Sequence, residues 1–277
     1  NVGDQPYAPQ AYGFYLVDRD GFLVSPGFVT YEEGVAAPPL AGDAIEPGDS
    51  VTGAIPFEVL SGSEIAAIIY QPTFDRFTIL AASIEAPEMG SAADLVGEEG
   101  GVVGSLTVEE FVDPLVDVDP SYQAQRGYHH AGAVVTIENT GNRPLSVDPY
   151  ALQVIDADGY VLTSSGVYRG EEVEVPSLEY VDLAPGASVT GMGTFELFNE
   201  SAPAWMVFMT GSSQITFLAG FEGAPELPAV EDIPAFTPGA TTTDDTGDDT
   251  GDDTGDDTGD DVDEPADDDS TPVEVSA

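Results

Sequence analysis

The feature of this sequence that most constrains its fold is an internal repeat with an offset of 138 residues. Residues 1–83 align with residues 139–221 without a gap, and 25 of the 83 aligned positions are identical. Chance identity at an ordinary composition is roughly six positions over such a length. We call the two segments the first copy and the second copy. The fold must therefore be one that a single unit adopts twice.

The identical positions lie where turns and strand ends are expected. An Asp-x-Asp-Gly sequence occurs at residues 18–21 and again at residues 156–159, and these residue types tolerate the positive φ of tight hairpin turns. Two further groups of identities are Asn1, Gly3 and Pro6 with Asn139, Gly141 and Pro144, and Pro47, Gly48, Ser50, Val51, Thr52, Gly53, Phe57 and Glu58 with Pro185, Gly186, Ser188, Val189, Thr190, Gly191, Phe195 and Glu196. The repeat unit is thus predicted to consist of strands joined by recurring turns.

Side-chain polarity alternates with a period of two, which is typical of strands rather than helices. In residues 133–138 the odd positions are Ala, Val and Ile, and the even positions are Val, Thr and Glu. Strands are predicted at residues 106–112, 131–138, 150–154, 160–162, 188–197, 204–209 and 214–218. About seven strands in roughly 115 residues is typical of an immunoglobulin-like sandwich. The predicted fold class is therefore all-β, as tandem immunoglobulin-like β-sandwiches, the first incomplete at its N-terminus.

Four segments follow from this organisation. Residues 1–83 are predicted to be an incomplete first module, residues 84–104 a linker with one helical turn near residues 92–96, and residues 105–222 the second module. Residues 223–277, with their Thr-Gly-Asp-Asp repeat, are predicted to be a disordered acidic tail because they offer too little apolar surface to bury.

The first copy lacks an equivalent of residues 105–138, which hold two predicted strands of the second module. Two explanations stay open at the sequence level. Either the chain is a fragment of a longer protein, or a strand from another chain completes the first sandwich, as in donor-strand assembly.

The charge of the chain excludes several classes of partner. It has 52 acidic residues, 5 arginines and no lysine, a formal net charge of −47. Nucleic acid and anionic membrane surfaces both require a basic patch, so neither is an expected partner. Direct insertion into a membrane is not expected either, since no apolar run approaches the roughly 18 residues that a spanning helix needs. Residues 1–240 alone carry 36 acids against 5 bases, which indicates adaptation to high salt.

Candidate metal ligands are few. Asp18, Asp20, Asp156 and Asp158 of the two Asp-x-Asp-Gly turns are the calcium candidates. Neither turn is followed by the further acids and the late bidentate Glu that a calcium loop supplies, so plain hairpin turns are favoured. The Asp pairs of the tail are expected to bind cations diffusely rather than in a folded site, because a four-residue period matches no calcium repeat.

No catalytic constellation emerges from the sequence, and no cofactor is predicted. His129 and His130 are adjacent, so on a strand they point to opposite faces and cannot easily chelate one metal ion. Glu171 and Glu172 form a carboxylate pair, but such pairs are expected everywhere in so acidic a chain. There is no Gly-x-Ser-x-Gly nucleophile motif, and the chain has no cysteine. The aromatic residues Tyr150, Phe195, Trp205, Phe208 and Phe217 are predicted to pack in the core.

These motifs resemble one known family. The strand at residues 133–138 with Asn139 and Gly141, the turn at residues 156–159, and the run from Leu183 to Phe195 are similar to the DUF4352 family. Its members are telokin-like domains with an immunoglobulin fold in secreted proteins and lipoproteins of bacteria and archaea. The resemblance implies this fold and an exported location, and it implies no catalytic residues.

The sequence as a whole predicts a non-catalytic, secreted or cell-envelope structural or interaction protein, not an enzyme, with an unknown protein or envelope component as its partner. Two alternatives stay open. One is a ligand-binding module for polysaccharide or a divalent cation. The other is a subunit of a surface filament assembled by strand donation.

High-salt adaptation makes a direct prediction. Diluting salt from molar to low-millimolar concentration should unfold the chain, because the Debye length grows from about 3 Å at 1 M to about 30 Å at 0.01 M and exposes the acidic surface to its own repulsion. Far-ultraviolet circular dichroism along the dilution series is the measurement. A β-sheet spectrum that persists at low salt would remove the hypothesis.

Overall fold

A computed structural model gives the structure of the chain and describes residues 1–27, 39–84, 87–167, 173–210 and 213–233. These residues form an all-β structure, which confirms the predicted fold class. Helical structure within these ranges is limited to three 3-10 turns of three residues each. No described helix is long and apolar enough to cross a membrane.

The described residues contain fourteen strands. The first copy contributes β1 (Phe14–Asp18), β2 (Leu23–Val24), β3 (Ile65–Thr73) and β4 (Arg76–Ala82). The following strands are β5 (Ala92–Val96), β6 (Val102–Val112), β7 (Tyr128–Glu138), β8 (Leu145–Val147), β9 (Leu152–Asp156), β10 (Val161–Thr163), β11 (Val181–Leu183), β12 (Ser188–Phe198), β13 (Pro203–Thr210) and β14 (Gln214–Gly220).

The sheets repeat with the sequence. The first copy forms a four-stranded antiparallel sheet with the order β2-β1-β3-β4, and the second copy forms one with the order β10-β9-β13-β14. Each strand of the second sheet lies 138 positions after its equivalent in the first. We call these sheets the first repeat sheet and the second repeat sheet. A further sheet has the order β12-β7-β6-β5, and β8 pairs with β11.

The second repeat sheet packs against the β12-β7-β6-β5 sheet to form a two-layer sandwich. Alternate residues of β9 and β13 point into its core, including Leu152, Val154 and Met206, which are fully buried. Residues of β6, β7 and β12, among them Leu106 and Val135, fill the opposite side of the same core. The alternation that predicted these strands therefore supplies one complete sandwich.

The first repeat sheet covers the opposite face of the second repeat sheet. Ile155 and Val207 alternate with the sandwich-core residues and point away from them into a second core. The buried residues of this core are Val17, Ala67, Ile69, Phe77 and Ile79 from the first copy, and Ile155, Val207, Ile215 and Phe217 from the second. The two copies therefore share one compact unit, and the second repeat sheet is the central layer between two cores. We call the shared core the junction core.

The recurring Asn and Gly have a structural reason in both copies. The Asn139 amide donates to the carbonyls of Arg143 and Leu183 at 2.8 and 2.7 Å, and its Oδ1 accepts the Gly141 N–H at 2.9 Å. Asn1 makes the equivalent three hydrogen bonds with Gln5, Ile45 and Gly3. A single side chain thus closes the same loop in each copy, which explains the identity at these positions.

The predicted linker is wrong over part of its length. Residues 92–96 form β5 rather than a helical turn, and this strand pairs antiparallel with β6 at the edge of the sandwich. Ala93 and Leu95 are buried in the sandwich core. The Gly and Glu of residues 97–101, which gave a linker-like composition, form the hairpin turn between β5 and β6, where the Gly97 N–H donates to the Gly101 carbonyl at 2.9 Å.

The predicted tail begins too early at Gly223. Residues 223–233 run along the first repeat sheet, where the Ala82 N–H donates to the Pro228 carbonyl at 3.0 Å and Leu227 packs against the junction core. The Val230 N–H donates to Ser83 Oγ at 2.8 Å, and Glu231 also bonds Ser83. The apolar side chains spaced through this proline-rich segment provide the contacts. The Thr-Gly-Asp-Asp repeat and its predicted cation binding lie outside the described residues.

Candidate functional site

The two Asp-x-Asp-Gly turns are built in the same way. Asp18 Oδ1 accepts the N–H groups of Asp20 and Phe22 at 3.0 and 2.8 Å. In the second copy, Asp156 Oδ1 accepts the N–H groups of Asp158 and Tyr160 at the same two distances. The first Asp of each turn thus satisfies backbone donors of its own hairpin. Asp156 is buried, and its second oxygen accepts the Ser201 hydroxyl at 2.7 Å.

The turns join the two copies reciprocally. The Ile215 N–H donates to the Gly21 carbonyl at 2.9 Å, and the equivalent Phe77 N–H donates to the Gly159 carbonyl at 2.7 Å. A second equivalent pair of bonds runs from the Leu23 N–H to Ser213 and from the Val161 N–H to Asp75. These hydrogen bonds from one copy to the other are therefore matched by bonds in the opposite direction, as in the two-fold interface of a symmetric dimer.

Side chains at equivalent positions add a second reciprocal contact. Arg76 Nη1 donates to the carbonyl of Asp158 at 3.0 Å, and its guanidinium lies 3.5 Å from the centre of the Tyr160 ring. The equivalent residue of the second copy is Gln214, whose Nε2 donates to the carbonyl of Asp20 at 3.1 Å. One of the five arginines is thus placed where it stabilises the joint between the copies.

The calcium candidates take part in this joint. Asp18 and Asp156 point their carboxylates at backbone N–H groups, while Asp20 and Asp158 are exposed and offer their carbonyls to the other copy. Within the described ranges, no group of three or more His, Asp or Glu side chains is arranged to hold a metal ion. What these four residues do in the structure is to shape and pair the turns.

The two histidines lie on opposite faces of β7, as the alternation predicts. His129 is partly exposed, and its Nε2 lies 2.7 Å from Asp113 Oδ1 while its Nδ1 lies 3.3 Å from Asn199 Oδ1. His130 is buried, and its Nε2 bonds the carbonyl of Tyr122 at 2.9 Å. Sequence reasoning did not identify Asp113 as a partner of His129, because these residues are brought together by the register of β6 and β7. Glu171 and Glu172 lie outside the described residues.

Four of the five aromatic residues predicted to be buried take part in packing. Phe195 and Phe208 lie in the sandwich core, and Phe217 lies in the junction core with Trp205 packed against it. Tyr150 is the exception, since it is 51% exposed. The prediction was wrong because this residue lies in the 3-10 turn before β9 rather than on the strand.

Tyr150 belongs to an exposed group of tyrosines. It lines a depression of about 250 Å³ together with Tyr122, Ser165 and Glu179. Tyr180 beside it is 64% exposed, and a hydrogen bond to Asp148 raises the pKa of its hydroxyl. We call Tyr122, Tyr150 and Tyr180 the tyrosine patch.

The counterpart of β12 in the first copy is residues 50–60, and its environment is very different. In the second copy, β12 pairs with β7 along its full length of eleven residues. Residues 50–60 make no strand pairing of this kind with any described residue, and their contacts are isolated bridges from Pro39 to Ala54 and from Pro26 to Phe57. We call residues 50–60 the unpaired segment.

Apolar side chains of the first repeat sheet and of the unpaired segment are more exposed than their equivalents in the second copy. Leu80 is 38% exposed, whereas its equivalent Leu218 is 1% exposed. Val59 of the unpaired segment is 43% exposed, whereas its equivalent Leu197 is fully buried. The first copy thus presents apolar side chains at positions that form the sandwich core in the second. We call this surface the open face.

Comparison with known proteins gives no family. No protein-family model matches the chain, and no curated protein matches it, so the resemblance to DUF4352 stays a prediction. Two solved structures are similar at 16% identity. The secreted protein MPT63 of Mycobacterium tuberculosis has a TM-score of 0.39 over 50% of this chain and 97% of its own. The lipoprotein candidate YcdA of Bacillus subtilis has a TM-score of 0.35 over 48% of this chain, which spans 39% of YcdA. Similarity at this level carries no argument about function.

The contact between the turns and the opposite copy predicts that alanine substitution destabilises two glycines of similar conformation by different amounts. Gly21 has φ 84°, and a β-carbon there would overlap the carbonyl oxygen of Ile215, whereas Gly48 has φ 89° and open space around it. Gly48→Ala should cost about 1 kcal/mol for the left-handed backbone. Gly21→Ala should cost roughly 3 kcal/mol, because overpacking adds about 1–3 kcal/mol.

Chemical denaturation at one salt concentration measures both changes in the free energy of unfolding. Gly159→Ala is the symmetry-equivalent variant, with Phe77 O in place of Ile215 O, and it should resemble Gly21→Ala. Equal costs for Gly21→Ala and Gly48→Ala would contradict the close contact between the copies.

Proposed function

We propose that the chain is a non-catalytic structural or interaction protein of the cell exterior, adapted to high salt, whose immunoglobulin-like copies act as one rigid body. The observation that carries the proposal is the junction core. It packs the two repeated sheets against each other in one reciprocal arrangement, so the copies are not independent domains joined by a linker. A body of this kind holds the surfaces of its two copies at a constant spacing, which suits a scaffold or spacer.

The charge distribution supports an exterior, high-salt setting. Arg19 pairs with Glu64 at 2.7 Å and Arg143 with Glu99 at 3.8 Å, and all four side chains are mostly exposed. Exposed pairs of this kind contribute about 0–1 kcal/mol each, and they neutralise few of the 52 acids. A surface with this charge repels itself unless counterions screen it. The sequence resemblance to an exported family supports the same setting.

The exterior location can be tested with cysteine labelling, because the chain has no cysteine of its own. Ala184 is exposed, so Ala184→Cys should react with a membrane-impermeant maleimide on intact cells of the source organism. The unsubstituted chain gives the background. Ala133→Cys, at a fully buried position, should react only after denaturation. Labelling of Ala184→Cys that requires cell lysis would contradict the proposal.

A second candidate function has one specific observation in its favour. The tyrosine patch exposes phenol rings beside a depression of about 250 Å³, and aromatic faces stack on the apolar faces of sugar rings. A polysaccharide-binding module would use such a surface. The acidic surroundings favour neutral or basic sugars over anionic ones.

This candidate predicts an affinity that depends on Tyr150 and Tyr180. If the patch binds a neutral glucan or chitin oligosaccharide, Tyr150→Ala and Tyr180→Ala should each weaken binding about tenfold, or about 1.4 kcal/mol, because each loses an apolar ring face that packs on the sugar. Isothermal titration calorimetry is the measurement. Tyr12→Ala, at the equivalent exposed position of the first copy, is the matched control. Binding that is absent, or that falls equally in the control, would exclude the patch.

A further inference from the structure

We propose that Asn199 is the attachment site of an N-linked glycan, which is transferred from a membrane lipid that carries an oligosaccharide on phosphate or pyrophosphate. The inference rests on the exterior location in the proposed function, because this modification belongs to exported chains. It depends on the complete sandwich of the second copy and on no part of the first copy.

The sequence places Asn199 in the acceptor motif for this modification. Residues 199–201 are Asn-Glu-Ser, which matches Asn-x-Ser/Thr with a residue other than proline in the middle. The chain has three further asparagines, Asn1, Asn139 and Asn142, and none of them has Ser or Thr two positions later. So short a motif also arises by chance, so the argument depends on where the structure places it.

The motif lies on an exposed turn at the end of the sandwich. Residues 198–201 connect β12 to β13, and the Ser201 N–H donates to the Phe198 carbonyl at 3.0 Å. Asn199 and Glu200 in the middle of this turn are both exposed. Because β12 is paired with β7 along its full length, the exposure of the turn does not come from a missing strand. A bulky, hydrated glycan at this position extends into solvent and displaces no packed side chain.

The contacts of Asn199 leave the acceptor atom available. Its Oδ1 lies 3.3 Å from His129 Nδ1, and its backbone N–H donates to the Gly127 carbonyl at 2.9 Å. Its Nδ2 makes no hydrogen bond to any residue that the structure describes. Attachment through Nδ2 therefore keeps both contacts of Asn199 in place.

The transfer exchanges one bond for another. A bond forms between Asn199 Nδ2 and the anomeric carbon of the first sugar, and the bond from that carbon to the phosphate oxygen of the lipid donor breaks. The electron pair of the broken bond leaves with the phosphate, and Nδ2 loses one proton. The product is a secondary amide that keeps one N–H, and no oxidant or reductant is consumed.

Ser201 supplies the hydroxyl that the motif requires two residues after the acceptor. In the folded chain this hydroxyl donates to Oδ2 of the buried Asp156 at 2.7 Å. A hydroxyl that is already bonded to Asp156 is not free to contact a transferase. The glycan is therefore transferred during export, before β12 and β13 close this turn, and the hydroxyl then holds the turn against the Asp156 hairpin.

The test uses the full chain purified from the source organism, and it measures the mass of the peptide that carries Asn199. Cleavage after Glu196 by a glutamyl endopeptidase releases a peptide that begins at Leu197, and tandem mass spectrometry should place a series of sugar masses on Asn199. Asn199→Gln should remove this added mass from the chain. Asn142→Gln is the matched control, at an exposed asparagine outside the motif, and should leave it unchanged. An unmodified Asn199 would overturn the proposal.

A second pair of variants leaves the acceptor itself intact. Ser201→Thr keeps the hydroxyl that the motif requires and should retain the glycan on Asn199, whereas Ser201→Ala removes the hydroxyl and should lose it. Because the transfer precedes closure of the turn, the loss of the bond to Asp156 in Ser201→Ala does not explain a missing glycan. A glycan that persists in Ser201→Ala would contradict recognition of this motif.

The Ala184→Cys labelling experiment separates this inference from the proposed function. Labelling of intact cells together with an unmodified Asn199 would reject the glycan and leave the exterior location standing. Labelling that requires cell lysis together with an unmodified Asn199 would reject both.

Discussion

The structure depends on the burial of one sheet face against another between the two copies. The second repeat sheet has apolar side chains on both faces. The sheet that contains β6, β7 and β12 covers one of these faces and completes the sandwich. Exposing the other would leave Ile155, Val207 and Phe217 in water, and each such side chain gains about 1.5–3 kcal/mol on full burial. The first repeat sheet removes this surface from water. It buries its own Ile69 and Phe77 in the same contact, so both copies gain.

The two copies meet through equivalent surfaces, as the two subunits of a symmetric dimer do. The turns show this most directly, because the same Asp-x-Asp-Gly sequence caps its own hairpin and also meets the opposite copy. The apolar residues of the two copies match in type but not in order. In β4 the sequence places Phe77 before Ile79, and in β14 it places Ile215 before Phe217. Each copy thus brings one Phe and one Ile from this strand, which keeps the volume of the junction core while the order changes.

How much of this the sequence could predict depends on the range of each interaction. Strands and hairpin turns are local, and the period of two together with the Asp-Gly turns predicted β7, β9, β12, β13 and β14 close to their observed bounds. The wrong predictions concern two segments whose average composition is typical of a linker or a tail. Residues 97–101 are rich in Gly and Glu yet form a hairpin turn, and residues 223–233 are rich in Pro yet lie along the first repeat sheet. In both, a few apolar residues at suitable spacing outweigh the average composition.

The junction was harder to foresee for a different reason. The sequence of β13, Pro-Ala-Trp-Met-Val-Phe-Met-Thr, is an almost continuous apolar run, which is typical of a strand covered on both faces. That signal indicates that a second layer exists. It does not identify the layer, because the partner lies about 138 residues away and the match involves surfaces rather than residue patterns. The reciprocal hydrogen bonds that the Gly21 and Gly159 carbonyls accept likewise depend on how the two copies pack.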